Sequence, residues 1–183
     1  MLVRKALTSK KDAHTGFRPD FIALSVGDID FGYLQQSGIK ACFIDLDGTV
    51  VSKGEFEVAD TVKNLLQAIK LPIYIATNRP KSRALKDLKL DLAASGVIHP
   101  HGLLHPKPSK SYYRNALKEH NLLPHEVVMI GDRYLQDIFG ANRAGLYSLV
   151  VHKTGKSIGW FDRLLSKTEA KATARYSTDY EQV

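Results

Sequence analysis

Apolar residues in this chain fall into short runs, and most of the runs stop at a polar side chain. Ala41-Cys42-Phe43-Ile44 ends at Asp45, Pro72–Ala76 at Thr77-Asn78, and Glu126–Ile130 at Gly131-Asp132. Val97-Ile98 and Tyr147–Val151 are two further runs. Continuous apolar stretches of this length read as strands buried on both faces. Between them the period changes. Asp60–Ile69 carries apolar residues at positions 62, 65, 66 and 69, the spacing of one helical face. A second helix is predicted from Pro80 in its first turn to about Ala94, stopped by Gly96. A third runs from Ser109 to about His120, and a fourth ends near Gly145. Strands alternating with helices at short spacing predict an α/β fold: a Rossmann-like, doubly wound parallel sheet with helices on both faces.

The flanks are less patterned. Residues 1–18 read as a basic, loosely ordered lead-in. Phe21, Ile22, Leu24 and Val26 read as a segment laid against the core, before a helix cap ahead of Tyr33 and a stop at Gly38. Trp160–Leu165 predicts a last helical turn or two, and residues 166–183 a polar, mobile tail. A single domain over 19–165 is the expectation, with no repeats and no low-complexity segment.

In a parallel sheet of this kind, ligands bind outside the carboxyl ends of the strands, at the switch point of strand order. By that rule Asp45 and Asp47, Thr77 and Asn78, Lys107, and Asp132 and Asp137 converge on one edge. Asp45 and Asp47 would point to the same side of an extended strand, unless the turn at Gly48 splays them. Clustered carboxylates repel, so a fold that keeps them needs a cation, a proton or both. Carboxylates with one ammonium and a hydroxyl suit a hard cation such as Mg²⁺ together with a phosphate group. A carboxylate attacks phosphorus only when the phosphoryl charge is neutralised, and a second carboxylate can move the leaving-group proton.

Asp45-Leu46-Asp47-Gly48-Thr49, Thr77 after a strand, Lys107-Pro108 and Gly131-Asp132 with Asp137 resemble, in order, the four motifs of the haloacid dehalogenase (HAD) superfamily. The resemblance covers residues 41–151. It implies that Asp45 is the nucleophile forming an aspartyl-phosphate, and that Asp47 is the general acid/base. It further implies that Thr77, Asn78 and Lys107 form the phosphate-binding set. Asp45, Asp132 and the backbone carbonyl of Asp47 would hold Mg²⁺, with Asp137 behind them orienting Lys107 or a metal-bound water. Asp45 to Thr77 is 32 positions and Thr77 to Lys107 is 30, each already filled by a helix, so no sizeable cap domain is expected. The lead-in from Pro19 through Ser25–Asp30 and Leu34 to Gly38-Ile39-Lys40, and Ile130-Gly131-Asp132 with Asp137–Gly145, are similar to the phosphatidylglycerophosphate phosphatase-like branch of subclass IIIA. Gly48 departs from that branch, which usually has asparagine there. The implied activity is Mg²⁺-dependent phosphomonoester hydrolysis on a phosphatidylglycerol phosphate-type head group. The alternatives are a soluble nucleotide or sugar phosphate, or a non-catalytic RNA- or ribosome-binding protein on the same scaffold.

Charge and cysteine content refine this picture. The net charge is +7, and residues 79–118 alone hold nine basic against two acidic side chains, an equal excess. A stripe of this kind suits an anionic ligand or membrane surface, with solvated helix faces as the plain alternative. The expected partner is a phosphorylated substrate, with peripheral membrane contact under the lipid reading; nucleic acid is not expected. Cys42 is the single cysteine, which excludes an internal disulfide and fits a reducing, cytoplasmic setting. His99, His101 and His105 raise a zinc loop as an alternative, but the cysteines that build such a loop in related phosphatases are absent.

Overall fold

The computed structural model describes residues 4–6, 16–100, 105–152 and 180–182. His101 and the predicted turns at Trp160–Leu165 lie outside them. Among the described residues eight strands form one sheet: β1 (Arg4–Ala6), β2 (Phe21–Ala23), β3 (Ala41–Asp45), β4 (Ile73–Ala76), β5 (Gly96–Ile98), β6 (Val127–Gly131), β7 (Tyr147–Val151) and β8 (Tyr180–Gln182). The spatial order is β5-β4-β3-β6-β7-β2-β1-β8. From β5 to β2 every pairing is parallel; β1 pairs antiparallel with β2 and with β8. The chain winds outward from β3 through β4 to β5, then returns to β6 and winds the other way. The predicted doubly wound α/β sheet is therefore present, and its switch point lies between the ends of β3 and β6.

Two predictions about the flanks are corrected. Phe21–Ala23 is not merely laid against the core: it adds a parallel strand beside β7, in register Phe21 with Leu149 and Ala23 with Val151. Its backbone polar groups are satisfied by the ladder. Arg4–Ala6 and Tyr180–Gln182, assigned from the sequence to a loose lead-in and a mobile tail, pair with each other at the sheet edge. Their partners lie far apart along the chain, where local pattern carries no information.

The helices are α1 (Phe31–Gln36), α2 (Asp60–Ala68), α3 (Arg83–Asp91), α4 (Lys110–Glu119) and α5 (Gly140–Ala144), the last preceded by a π-helical segment, Tyr134–Phe139. α3 starts later than Pro80 suggests. Ser82 caps it by accepting a hydrogen bond from the Leu85 N–H at 3.2 Å, and residues 79–81 form no helix.

Strand alternation sorts the core into two layers. Cys42, Ile44, Ile73, Ile75, Val128 and Ile130 face a cluster containing Leu34 of α1, Leu66 of α2 and Leu85 and Leu88 of α3. Ala41, Phe43, Ala76 and Met129 face the opposite cluster, with Tyr112, Tyr113, Ala116 and Leu117 of α4 and Ala141 of α5. The period of two then fixes the side of Asp45, which shares the α4 face with Phe43. The same layering divides the basic stretch 79–118: α3 carries Arg83, Lys86 and Lys89 on one face of the sheet, and α4 carries Lys110, Arg114 and Lys118 on the other. It is not one continuous stripe.

Cys42 is completely buried in β3, and that burial pushes its thiol pKa up to about 12. The neutral thiol is thus a stabilising state of the fold. Its contribution is full below the ordinary thiol pKa and is lost as pH rises toward 12. We expect Cys42 to resist a thiol reagent at pH 8 in the native protein and to react at once in denaturant; prompt labelling of native protein would contradict the buried placement.

Candidate active site

The site is built at the carboxyl end of β3. Asp45 is the last residue of that strand, and Lys107 reaches it from the loop ahead of α4. The Lys107 ammonium donates to Asp45 Oδ1 at 2.5 Å, to Asp137 Oδ1 at 2.7 Å and to the Ala76 carbonyl at 2.9 Å. A lysine has three N–H donors, and all three are engaged. Lys107 is only 2% exposed and Asp137 is fully buried, so this ion pair is out of water. Burial disfavours the ammonium, but Asp137 and Asp45 together outweigh it and raise the Lys107 pKa. Lys107 is held charged.

Further carboxylates gather around this ammonium. Ligand atoms of Asp45, Asp132 and Asp137 lie within 4.8 Å of one another, and all three residues are buried. Burial pushes the Asp45 carboxyl up to about 7, against the pull of Lys107. An all-oxygen donor set of closely spaced carboxylates fits a divalent hard cation. Asp45, Asp132 and Asp137 are the side chains placed to hold one.

Two glycines make this closeness possible. Gly48 has φ +87°, and a Cβ there would meet Asp132 Oδ2 at 2.5 Å. A Cβ on Gly131 would run into the Asp137 carboxylate, which folds back to accept from the Arg133 N–H at 3.1 Å. The π-helical start contributes too, since the N–H groups of Asp137 and Ile138 both donate to the Arg133 carbonyl, at 2.9 and 3.3 Å. The widened turn carries Asp137 inward.

Asp47 goes elsewhere. The Gly48 turn splays it from Asp45, and its carboxylate is held by Arg79, with Nε to Oδ2 at 2.9 Å and Nη2 to Oδ1 at 2.7 Å. The Gly54 N–H of the loop after β3 adds a bond to Oδ1 at 2.9 Å. Burial opposes the charge on Asp47, but Arg79 and Gly54 prevail and lower its pKa. The Arg79 guanidinium also lies over the Phe56 ring, 4.5 Å from its centroid.

Thr77 is fully buried at the end of β4, where its hydroxyl accepts from the Arg79 N–H at 3.0 Å. Asn78 brackets the Lys107 backbone, accepting from its N–H at 2.8 Å and donating to its carbonyl at 3.2 Å. The Asn78 amide therefore positions Lys107. His99 meets the Arg79 carbonyl at 3.3 Å and His105 meets the Ser111 hydroxyl at 2.9 Å, and neither joins the acidic group. Arg79 is the functional residue that sequence reasoning missed. It was read only as one charge of the basic stretch, although its place two residues past Thr77 in Thr-Asn-Arg was a usable signal.

Comparison with known proteins agrees with this geometry. A family described as HAD-hydrolase-like matches residues 105–175. The phospholysine phosphohistidine inorganic pyrophosphate phosphatase of Danio rerio is 46% identical over 115 residues, covering 60% of this chain and 42% of that protein. The probable phosphatase YqeG of Bacillus subtilis strain 168 is 24% identical over 158 residues, covering 85% and 88%. The chain thus spans less than half the length of the zebrafish relative. Among solved structures, a D,D-heptose 1,7-bisphosphate phosphatase from B. bronchiseptica superposes with a TM-score of 0.53 at 17% identity, over 70% of this chain and 86% of that one.

Gly48→Ala tests the crowding directly. A Cβ in left-handed backbone against Asp132 is expected to cost about 1–3 kcal/mol of stability. It should also raise the Mg²⁺ concentration giving half the maximal shift in thermal unfolding midpoint. An unchanged Mg²⁺ response would show that Asp132 does not depend on that gap. In its fold, in the order of its motifs and in the match over residues 105–175, this chain is similar to the HAD-like hydrolases.

Proposed function

We propose that this protein hydrolyses phosphomonoesters through an aspartyl-phosphate on Asp45. The observation that carries the reading is the buried Lys107 ammonium between Asp45 and Asp137, with Asp132 beside them at the strand switch point. Such a cluster is costly to bury and serves no packing purpose. A divalent cation held by Asp45, Asp132 and Asp137 would neutralise charge on the phosphoryl group. Lys107 and the Thr77 hydroxyl bind phosphoryl oxygens as their charge redistributes. Asp45 attacks phosphorus through the oxygen opposite its Lys107 bond, and the bond from phosphorus to the ester oxygen breaks. Asp47 gives that oxygen a proton, then takes one from the water that attacks phosphorus, so the Asp45–phosphorus bond breaks and phosphate leaves. Asp47 is held as a carboxylate in the substrate-free site, so it takes up its proton as the complex forms, when Arg79 can turn toward the incoming anion.

The finer reading concerns the substrate. No domain is inserted between β3 and β4, which supports an open site for a large substrate. Arg83 and Lys110 open α3 and α4 at the rim from opposite sides of the sheet. These two features support a phosphate on an anionic lipid head group. The division of the basic residues between two faces weakens it, and the names of the relatives point to phosphorylated side chains, pyrophosphate and, in Pyrococcus furiosus, glyceraldehyde 3-phosphate. Among the described residues no helix is long and apolar enough to cross a membrane. Hydrolysis of phosphatidylglycerol phosphate in mixed micelles against soluble esters separates the two. Preference for soluble esters removes the lipid reading and leaves the chemistry.

Two outcomes are expected. Asp45→Asn should lower Mg²⁺-dependent aryl phosphate hydrolysis by at least about 10³-fold while leaving the unfolding midpoint unchanged or raised, since it relieves repulsion without removing volume. Activity near wild type removes Asp45 as nucleophile. Because Asp45 titrates near 7, its proton competes with the cation: activity should fall as pH drops through about 7, at a midpoint that moves lower as Mg²⁺ is raised. A midpoint indifferent to Mg²⁺ would contradict the shared site.

A further inference from the structure

Lys107 and α4 are joined through Pro108 and Ser109, and the first two buried residues of α4 are consecutive tyrosines with no solvent exposure. Neither side chain is needed simply to fill the layer, because phenylalanine would do that. Their hydroxyls go to two different parts of the site. The Tyr112 O–H is directed at two carbonyls, Ile98 at 2.9 Å and Thr77 at 3.2 Å. Thr77 is tied to the same place by its own N–H, which donates to the Ile98 carbonyl at 3.2 Å. The Tyr113 O–H donates to the Gln136 carbonyl at 2.6 Å, with the Asp137 carbonyl at 3.4 Å. Neighbouring positions on a helix diverge by about 100°, so one helix reaches the end of β4 with one ring and the π-helical segment with the next. The rings brace each other edge to face, 5.3 Å between centroids. Gly140 completes the arrangement. A Cβ there would meet the Tyr113 ring at 2.7 Å and the Pro108 Cα at 3.0 Å. Burial raises the pKa of both phenols, so both keep the proton they donate.

We propose that Tyr112 and Tyr113 are positioning residues with separate tasks: Tyr112 sets Thr77 against the phosphoryl position, and Tyr113 sets Asp137 within the carboxylate cluster. The inference rests on the phosphatase reading for what those two sites bind. Through Lys107 and these two hydroxyls, α4 indexes the ends of β3, β4 and β6 to one another. The backbone carbonyls they hold are buried, and a buried acceptor without its donor moves or carries a penalty.

The test uses the full chain as wild type, Tyr112→Phe and Tyr113→Phe, each variant lacking one oxygen. Two quantities are measured with an aryl phosphate: inhibition by inorganic phosphate at saturating Mg²⁺, and the half-saturating Mg²⁺. Two more are measured without turnover: the shifts in unfolding midpoint produced by Mg²⁺ alone and by Mg²⁺ with inorganic phosphate. Tyr112→Phe should weaken phosphate inhibition on the order of tenfold and leave the Mg²⁺ response within about twofold. Tyr113→Phe should do the reverse. Gly140→Ala, which crowds the Tyr113 ring and the Pro108 backbone without removing the hydroxyl, should raise the half-saturating Mg²⁺ as Tyr113→Phe does and takes its place if that variant is too unstable to assay. Equal losses in both responses for both tyrosines, or no change in either response, would overturn the division of tasks. If wild type hydrolyses no phosphomonoester, the phosphatase reading fails, while the midpoint shifts still decide the roles of the tyrosines.

Discussion

A lysine ammonium buried between two aspartates is the constraint on which the rest of this site depends. Removing Lys107 from water is costly, and only direct contact with Asp45, Asp137 and the Ala76 carbonyl makes it tolerable. Those three acceptors come from the ends of β3 and β4 and from the π-helical segment after β6. Lys107 can be satisfied only if these elements meet at one point, so the strand order and the site are two descriptions of one requirement. Asp45, Asp132 and Asp137 together form an oxygen donor set that a divalent cation would fit.

Around this centre the chain uses small residues to bring charges together and large ones to hold the backbone. Gly48 and Gly131 leave room for the Asp132 and Asp137 carboxylates. Arg79 draws Asp47 out of the cluster and keeps it ionised, which leaves one carboxylate buried against Lys107 and the other paired with a guanidinium beside Phe56. The two carboxylates are two positions apart in sequence and in different electrostatic surroundings, which the proposed roles of nucleophile and acid/base would require.

Much of this was legible in the sequence, for identifiable reasons. The strands β3, β4, β6 and β7 are buried on both faces, so they read as unbroken apolar runs ending in polar residues. Because ligand sites sit at those ends, the order of the elements alone gathers Asp45, Thr77, Lys107, Asp132 and Asp137. What was not legible depends on space rather than pattern. β2 is three residues long and recognisable only through β7, 128 residues away in the pairing of Phe21 with Leu149. The edge pair β1 and β8 joins the two ends of the chain. The basic stretch looked continuous because a linear sequence does not say that α3 and α4 cover opposite faces. Arg79 and the two tyrosines escaped notice because their partners are a carboxylate and backbone carbonyls distant in sequence.

The most direct test of the central claim is the pH dependence of stability in Lys107→Met, a replacement that keeps bulk and removes the charge. Losing the partner of a buried ion pair should cost roughly 3–5 kcal/mol near neutral pH. Without the ammonium the clustered carboxyls hold their protons to higher pH, so that loss should shrink as pH falls and they become neutral. Added Mg²⁺ should also restore part of it at neutral pH. A loss of stability of the same size at every pH, unmoved by Mg²⁺, would mean that Lys107 acts there by packing alone and would contradict the electrostatic account of the site.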